Sequence, residues 1–378
     1  MSESTDADAE VDTLQQVADA FGTTLDPLAE FEDRFNQLDL DPFAPFDEDI
    51  LQSQDLDDST LRHYRSVFEE WQAFMADLGR NPACPTDTHV VRFIGWQRDP
   101  EEDGGKDNHP RTVKAKLRKL NRAYEYWQDS AAFPHPQDYN PFQLAREKVD
   151  LSNPNSKEHR RIPVEELRDM MDSVTNIRKR AIIGIQFKLG LRAGEVANIK
   201  ISDLALPNSE IRDHYPDMGT ERRIADRENA IYVPSGDERD GNKSRRPRVL
   251  PLDDELRRVL TRYLLIRPDS GKPWLFLSEK SHSKLNKSVV NEVWKDEFHP
   301  EYEETDEYRP VTSHFGRHRF STWWRVEQDV NRQLVKYMRG DKPESMSAQS
   351  REAIDAYLHT YYEDIRDLYL ENVYKIGL

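Results

Sequence analysis

The first half of the chain repeats apolar residues every three or four positions, which is the spacing of helices that bury one face. From residue 51 to residue 151 this spacing predicts a helical domain, with helices capped by Ser59 and Thr86 and a long helix from about Arg111 to Gln128. The long helix would bury a row of large side chains: Val113, Leu117, Leu120, Tyr124 and Trp127.

The second half has longer apolar runs and a different set of elements. A polar segment at residues 152–162 predicts a linker, followed by a second domain at residues 163–378. An apolar run predicts a buried helix at 181–189, and two short β patterns joined by a charged loop predict strands. The strands are expected at 231–234 and 248–252, and further helices at 254–266, 288–298, 315–327 and 353–362. The expected fold class is mainly α with a small antiparallel sheet.

Composition excludes several classes of protein. The 378 residues contain no apolar stretch long enough to span a membrane, and the first ten lack the order of a secretion signal. A single cysteine, Cys84, excludes an intramolecular disulfide and a thiolate zinc site. These features predict a soluble, cytoplasmic protein.

The formal net charge of −17 opposes DNA contact at first sight, but it is unevenly distributed. Residues 1–50 hold fifteen acidic residues against one base, Arg34, so we expect an acidic N-terminal extension there, while the rest is close to neutral. Arginine outnumbers lysine 36 to 18. Acidic excess with few lysines predicts adaptation to strong salt, as in a halophilic, archaeal-type source; an ordinary acidic tail is the alternative.

One face of the long helix is basic. Arg111, Lys114, Arg118 and Arg122 recur every three or four residues. This spacing aligns cations along a phosphate backbone, which favours DNA binding. A merely solvated face is the alternative, and the pattern leaves both open.

Residues 189–195 read LGLRAGE and contain the first group suited to phosphate chemistry. Gly190 is placed to end the buried helix as a C-cap, so Arg192 would lie on a sharp turn between core helices. A rigidly held guanidinium can donate to two phosphate oxygens, and Glu195 could brace it. A surface arginine beside a helix cap is the alternative.

Residues 314–319 read HFGRHR. A helix that begins at Thr312 or Ser313 would place His314 and Arg317 one turn apart on the same face. A neutral imidazole can accept a proton from a hydroxyl, and a second arginine adds another phosphate ligand.

Residues 242–252 read NKSRRPRVLPL and place Lys243 at the tip of the predicted hairpin. A flexible ammonium there could protonate a leaving oxygen. The preceding glycines do not have the spacing or the strand–loop–helix context of a P-loop, so we exclude a nucleotide.

Residues 356–359 read AYLH on a predicted helix that also carries Tyr361, Tyr362 and Tyr369. Tyrosines at helical spacing are most often core packing. One of them, Tyr357, becomes a candidate nucleophile only in combination with the groups above.

In the order Arg, Lys, His-x-x-Arg, Tyr, these segments resemble the tyrosine recombinase family, the phage-type and Xer-like integrases. The resemblance covers about residues 55 to 365. It implies a helical core-binding domain at 51–151 and an integrase-type catalytic domain from residue 163 onward.

The family's roles, carried over residue by residue, imply a phosphoryl-transfer site. Arg192 and Arg317 would clamp the scissile phosphate, Tyr357 would attack it to form a 3′-phosphotyrosyl bond, and Lys243 would protonate the leaving 5′ oxygen. His314 would assist proton transfer at the tyrosine. Because the covalent link conserves the phosphodiester energy, we expect no cofactor, neither ATP nor a metal.

Three features depart from the family's pattern. Asp341 stands where the family usually has His or Trp, which makes it a possible catalytic residue, and Gly316 replaces the usual leucine. The stretch after residue 341 is longer than usual, so Tyr361 and Tyr362 remain alternative nucleophiles.

The resemblance also implies partners: double-stranded DNA with a specific recombination site, and a homotetramer on paired sites with the tail after Tyr362 docked on a neighbouring subunit. No membrane is expected. The expected function is site-specific recombination for integration, excision or dimer resolution. A non-catalytic DNA-binding protein with the same fold is the main alternative, and a topoisomerase or DNA-end resolvase is another.

Overall fold

The computed structural model describes residues 16–18, 20–22, 24–38, 40–54, 56–152, 157–342 and 351–378, with only the backbone of 351–360. Contacts divide the chain into two units, Met1–Ser156 and Lys157–Leu378. This division falls inside the predicted linker, and the predicted domain boundaries themselves stay a prediction. Within the described residues, no helix is both long enough and apolar enough to cross a membrane.

The described secondary-structure elements of the first unit are all helical. Its longer helices are α1 (Ala29–Leu38), α2 (Asp58–Asp77), α3 (Asp87–Arg98), α4 (Pro110–Asp129) and α5 (Pro141–Lys148). A short helix at Ala44–Phe46 continues into a π-helical turn at Asp47–Leu51, and a 3-10 turn spans Glu101–Asp103.

Local capping fixes where the helices of this unit begin. Thr86 caps α3 as predicted, through a reciprocal pair of hydrogen bonds with His89. The predicted cap of α2 was wrong by two residues, because the carboxylate of Asp57 accepts from the Thr60 amide at 2.9 Å while Ser59 lies inside the helix. The carboxylate takes the cap because it is the stronger acceptor for an amide at a helix N-terminus.

Part of the acidic extension belongs to the core of the first unit. Leu28, Phe43 and Phe46 are buried among the helices, and the buried Trp127 donates its indole N–H to the carbonyl of Pro42 at 2.9 Å. Arg80 binds Glu32 at 2.5 Å. Leu28, Phe43 and Phe46 of the extension therefore form part of this core.

The second unit contains the remaining elements. Its helices are α6 (Val164–Ser173), α7 (Ile177–Leu189), α8 (Ala193–Asn198), α9 (Ser209–His214), α10 (Asp254–Ile266), α11 (Lys287–Phe298), α12 (Ser313–Thr322), α13 (Arg332–Arg339) and α14 (Arg351–Asn372). The strands are β1 (Leu204–Ala205), β2 (Ala230–Val233) and β3 (Arg248–Pro251), with 3-10 turns at Ile201–Asp203 and Arg222–Ile224. A π-helical turn, Trp323–Glu327, continues α12.

The described strands form one antiparallel sheet in the order β1-β2-β3, and Ile231 of β2 pairs with Leu204 on one side and Leu250 on the other. Helix α7 is buried along its length from Ala181 to Leu189 and packs against α10, α11 and α12. A helix buried on all sides needs no polar face, which explains the mostly apolar sequence of residues 181–189, in which Gln186 and Lys188 are the polar exceptions. This architecture confirms the predicted fold class.

The C-terminal tail packs on its own unit in this single chain, and its docking on a neighbouring subunit stays a prediction. The ammonium of the fully buried Lys188 lies 2.9 Å from Asp253 and 2.7 Å from Glu255, and it donates to the carbonyl of Tyr374 at 2.5 Å. A buried ammonium has to be surrounded by acceptors, and the tail supplies one of them.

Candidate active site

The turn between α7 and α8 holds Arg192. Gly190 ends α7 in the left-handed conformation (φ 63°), as predicted for a C-cap, and a Cβ there would lie 2.5 Å from the ring of Phe320. Arg192 then precedes α8, and its backbone N–H donates to Glu195 at 2.7 Å. Its guanidinium is about one-third exposed, at 30%. The turn is therefore fixed by Gly190 before Arg192 and by the hydrogen bond from Arg192 to Glu195 in the helix that follows.

Glu195 lies beneath this arginine and is fully buried. Its carboxylate binds both terminal nitrogens of Arg248, at 3.2 and 3.0 Å. Burial alone would raise the pKa of Glu195, but Arg248 and the neighbouring arginines lower it to about 2. Glu195 is thus an anion. Its carboxylate accepts from the backbone N–H of Arg192 and from the guanidinium of Arg248.

Arg317 on α12 is almost buried, with 4% of its side chain exposed. It donates through Nη1 to the carbonyl of Gly190 at 2.6 Å and through Nη2 to that of Arg339 at 3.0 Å. Burial, together with the nearby Arg192, lowers the pKa of Arg317 to about 9, so it remains cationic at neutral pH. Its orientation is fixed by backbone acceptors.

The guanidinium groups of Arg192 and Arg317 bind the same carboxylate, that of Asp341. The Oδ1 atom of Asp341 accepts from Nη2 of Arg192 at 3.1 Å and from Nη2 of Arg317 at 3.0 Å. Its other oxygen, Oδ2, lies 2.8 Å from Nε of Arg339. Two arginines 125 positions apart in the sequence thus bind one anion.

Lys243 reaches this region through the loop between β2 and β3. Asn198 of α8 donates to the carbonyl of Asp240 and to the side chain of Asn242, both at 2.9 Å. A Cβ on Gly194 would lie 2.7 Å from the carbonyl oxygen of Gly241, so the loop can approach α8 closely only because residue 194 is glycine. Lys243 is exposed at the surface of this loop.

His314, at the start of α12, is exposed one turn before Arg317. Partial desolvation and the charges of Arg317 and Arg309 lower its pKa below the ordinary value. The imidazole is therefore neutral near pH 7 and can accept a proton.

These groups share one cleft of about 270 Å³. Its lining includes Arg192, Lys243, His314 and Arg317, all of which the sequence singled out, and also Lys287 and Asn291 of α11, which it did not. Lys287 and Asn291 lie at the start of an ordinary amphipathic helix, and no local signal distinguishes them. Within the described ranges, no group of three or more His, Cys, Asp or Glu side chains is arranged to hold a metal ion.

Of the three candidate nucleophiles, the structure describes the side chains of Tyr361 and Tyr362 but not that of Tyr357. Tyr357 lies on α14, but its side chain is outside the described residues. Tyr361 stacks on Tyr337 with ring centroids 5.2 Å apart. Tyr362 is 3% exposed and packs in a small cluster with Tyr232, and burial raises its pKa. Both alternative nucleophiles are therefore engaged in packing.

Comparison with known proteins adds to this geometry. The sequence profile of the phage integrase family matches residues 160–349, half of the chain. The chain belongs to the phage integrase family. No curated protein sequence matches it.

Several solved structures of integrases resemble the chain in fold. A lambda integrase tetramer bound to a Holliday junction has a TM-score of 0.57, with 15% identity over 91% of this chain and 90% of that one. A lambda integrase fragment, as a dimer bound to a COC′ core site, has a TM-score of 0.56, with 15% identity over 82% and 97% of the two chains. The Tn1549 transposon integrase with a circular intermediate DNA gives 0.56, with 14% identity over 83% and 96%. None of these comparisons bears on the predicted salt adaptation, which stays a prediction.

Gly316 departs from the family's usual leucine for a steric reason. A Cβ at this position would lie 2.8 Å from the ring of Trp294, whose indole N–H donates to Gln186 at 2.6 Å. The indole fills the space that a larger side chain would need. The departure is therefore a local exchange of volume between α11 and α12 in this member of the phage integrase family.

Only part of the basic face of α4 is exposed to solvent and free to contact DNA phosphates. Arg111, Lys114 and Arg118 are exposed. Arg122 is half-buried and donates to the hydroxyl of Tyr64 at 3.0 Å and to Gln54 at 2.9 Å, so it braces the bundle.

A groove of about 390 Å³ adds a cation that sequence reasoning missed. Lys114 and Arg118 line it together with Arg146 of α5. Arg146 lies in the last turn of a short helix, where a basic residue ordinarily serves the helix dipole, so its position gave no signal.

Proposed function

We propose that the protein is a site-specific DNA recombinase that cleaves and rejoins DNA through a 3′-phosphotyrosyl intermediate. The observation that carries the proposal is the convergence of Arg192 and Arg317 on one anion, at 3.1 and 3.0 Å, in a cleft that Lys243 and His314 also line. Membership of the phage integrase family supports site-specific recombination as the reaction class.

In this proposal Arg192 and Arg317 bind the non-bridging oxygens of the scissile phosphate and stabilise the extra charge of the pentavalent transition state. The phenol oxygen of Tyr357 forms a bond to phosphorus as the bond to the 5′ oxygen breaks. His314 takes the phenol proton, and the ammonium of Lys243 gives a proton to the leaving 5′ oxygen. Rejoining reverses these transfers with a 5′ hydroxyl as the nucleophile. We expect no cofactor in either direction.

DNA contact outside the cleft is assigned to the first unit. Arg111, Lys114 and Arg118 of α4, with Arg146, would bind backbone phosphates, while Arg122 holds the helix in place. We further propose a homotetramer on paired sites, because two duplexes have to be cut and exchanged. The lambda integrase tetramer on a Holliday junction supports this arrangement by similarity of fold.

The nucleophile is tested by trapping the covalent intermediate. The protein is incubated with a pool of nicked duplexes of random sequence, denatured in detergent, and the linked peptide is mapped. We expect wild type and Tyr361→Phe to form an adduct at Tyr357, and Tyr357→Phe to form none, because phenylalanine has no attacking oxygen. An undiminished adduct with Tyr357→Phe would move the role to another tyrosine.

A second candidate function is non-catalytic DNA binding by the same fold. The observation that favours it is Asp341, whose carboxylate occupies the arginine pair. This function predicts retention of DNA without any adduct in the trapping experiment, so a single mapped phosphotyrosyl peptide would exclude it.

A further inference from the structure

The carboxylate of Asp341 sits where the proposed function needs a phosphate oxygen. Its Oδ1 lies between Nη2 of Arg192 and Nη2 of Arg317, within 3.1 Å of both. A non-bridging oxygen held by both arginines would need the same two donors. Asp341 and a phosphodiester therefore compete for the same N–H groups.

Both arginines have partners other than Asp341. Arg317 is anchored by the carbonyls of Gly190 and Arg339, at 2.6 and 3.0 Å. Arg192 is held through its backbone N–H by Glu195, and its Nη1 lies 3.5 Å from the same carboxylate. These contacts do not involve Asp341 and would remain if its carboxylate turned away.

The charges of the site leave room for an external anion. Among the described residues, the contacts join four guanidinium groups, those of Arg192, Arg248, Arg317 and Arg339, and two carboxylates, those of Glu195 and Asp341. Glu195 is fully buried, whereas the side chain of Asp341 is 26% exposed. Of the two anions, Asp341 is the one that can rotate toward solvent.

We propose that Asp341 is an internal substitute for the scissile phosphate, occupying the arginine pair in the DNA-free protein and leaving it when a phosphodiester binds. This inference rests on the proposed function. Only molecules in which the arginine pair is open can bind an anion. The apparent affinity is therefore the intrinsic affinity multiplied by the fraction of molecules in that open state. A small anion that contacts only the cleft is then excluded, while DNA, which binds along a larger surface, displaces the carboxylate. Asp341 thus makes the site selective for DNA over free phosphate.

The experiment measures binding of inorganic phosphate by calorimetry at pH 7 and constant ionic strength. Asp341→Asn keeps the size of the side chain and removes its charge. We expect it to bind phosphate about ten-fold or more tightly than wild type, because the pair is no longer occupied by an anion. Asp254→Asn is the matched control, since it removes the same charge at a side chain 75% exposed and should leave phosphate affinity unchanged.

Two further variants locate the effect. Adding Arg192→Ala to Asp341→Asn should abolish the gain, which places the bound phosphate at the arginine pair. Asp341→Ser should show the same gain as Asp341→Asn, so that a folding defect in one variant, monitored by thermal unfolding, leaves the other as the test. Equal or weaker phosphate binding in folded Asp341→Asn would overturn the proposal and indicate that Asp341 positions the arginines.

The result is separable from that of the trapping experiment. Phosphate binding does not involve Tyr357, so a gain in Asp341→Asn without any adduct in wild type would reject the recombinase function and retain the internal competitor. An adduct in wild type without a gain in Asp341→Asn would do the reverse.

Discussion

Two clusters of cations in the second unit, each built around a buried ion pair, differ in how far their charge is neutralised. Lys188 is fully buried between Asp253 and Glu255, and Lys375 of the tail binds Asp253 at 2.7 Å. The described members of this cluster carry two positive and two negative charges. The arginine cluster instead has four guanidinium groups against two carboxylates and borders a cleft.

Under the proposed function, the difference separates a cluster that holds the fold from one that binds the scissile phosphate. A buried charge that only holds the fold has to be neutralised in place, because an uncompensated ion costs several kcal/mol. Positive charge left in excess beside a cleft is instead available to an anion from outside, where it can stabilise a transition state. The balance of charge, more than burial, distinguishes the cluster for which we propose a catalytic role.

The largest expected effect is on the neutral cluster. Lys188→Met should lower the free energy of unfolding by about 3–5 kcal/mol, since Asp253 and Glu255 lose their buried partner. Urea denaturation followed by circular dichroism measures the loss. Lys179→Met is the control, because its ion pairs with Asp296 and Glu297 lie nearer the surface, and we expect it to cost less than about 1 kcal/mol. An unchanged denaturation midpoint in Lys188→Met would remove the contrast between the clusters.

The second largest expected effect is on the rate of DNA cleavage. Arg192→Ala should reduce DNA cleavage about 10²–10³-fold, because one of the two donors to the transition state is lost. Its free energy of unfolding should hardly change, since Asp341 keeps Arg317 and Arg339 as partners. Adduct formation per folded molecule measures the rate, with Arg257→Ala, an arginine paired with Asp254 on α10, as the control. If Arg192→Ala lost stability as Lys188→Met does and kept its rate, the excess charge would be structural.

The smallest effect is a pH dependence of stability. The pKa of Glu195 is about 2 in the folded protein and about 4.5 when unfolded, so its ionisation stabilises the fold by about 3 kcal/mol above pH 5. This contribution should be lost as the pH falls from about 5 toward 2. Glu195→Gln should be less stable at pH 7 and should show a flatter decline over that range, measured by denaturation at each pH. A residual slope is expected from Asp253, whose pKa is also lowered. Parallel curves for wild type and variant would contradict the assignment.

Sequence patterns predicted the fold where local signals were strong. The helix expected at 254–266 is α10 to the residue, because Asp253 caps it and its apolar stripe is regular. Strand β1, Leu204–Ala205, has two residues and therefore no detectable period, and it exists only through pairing with β2. Helix α13, Arg332–Arg339, was also not predicted.

The site was predictable in its members but not in its contacts. The spacing of residues 189–195 and 314–319 identified Arg192, His314 and Arg317, which the structure brings together. Asp341 pairs with Arg339, which is two positions away in the sequence. Its contact with Arg192 spans 149 positions, and no local pattern encodes a contact that depends on how α8 and α13 pack.

Gly340 connects two parts of the cleft that would otherwise vary independently. It takes a left-handed conformation (φ 68°), a Cβ there would lie 2.4 Å from Arg248, and its carbonyl accepts from the amide of Arg245 in the loop that carries Lys243. If the loop that carries Lys243 were replaced by the loop of a relative, the turn at residues 339–341 would have to be replaced by that relative's turn as well. The two segments therefore have to be engineered together.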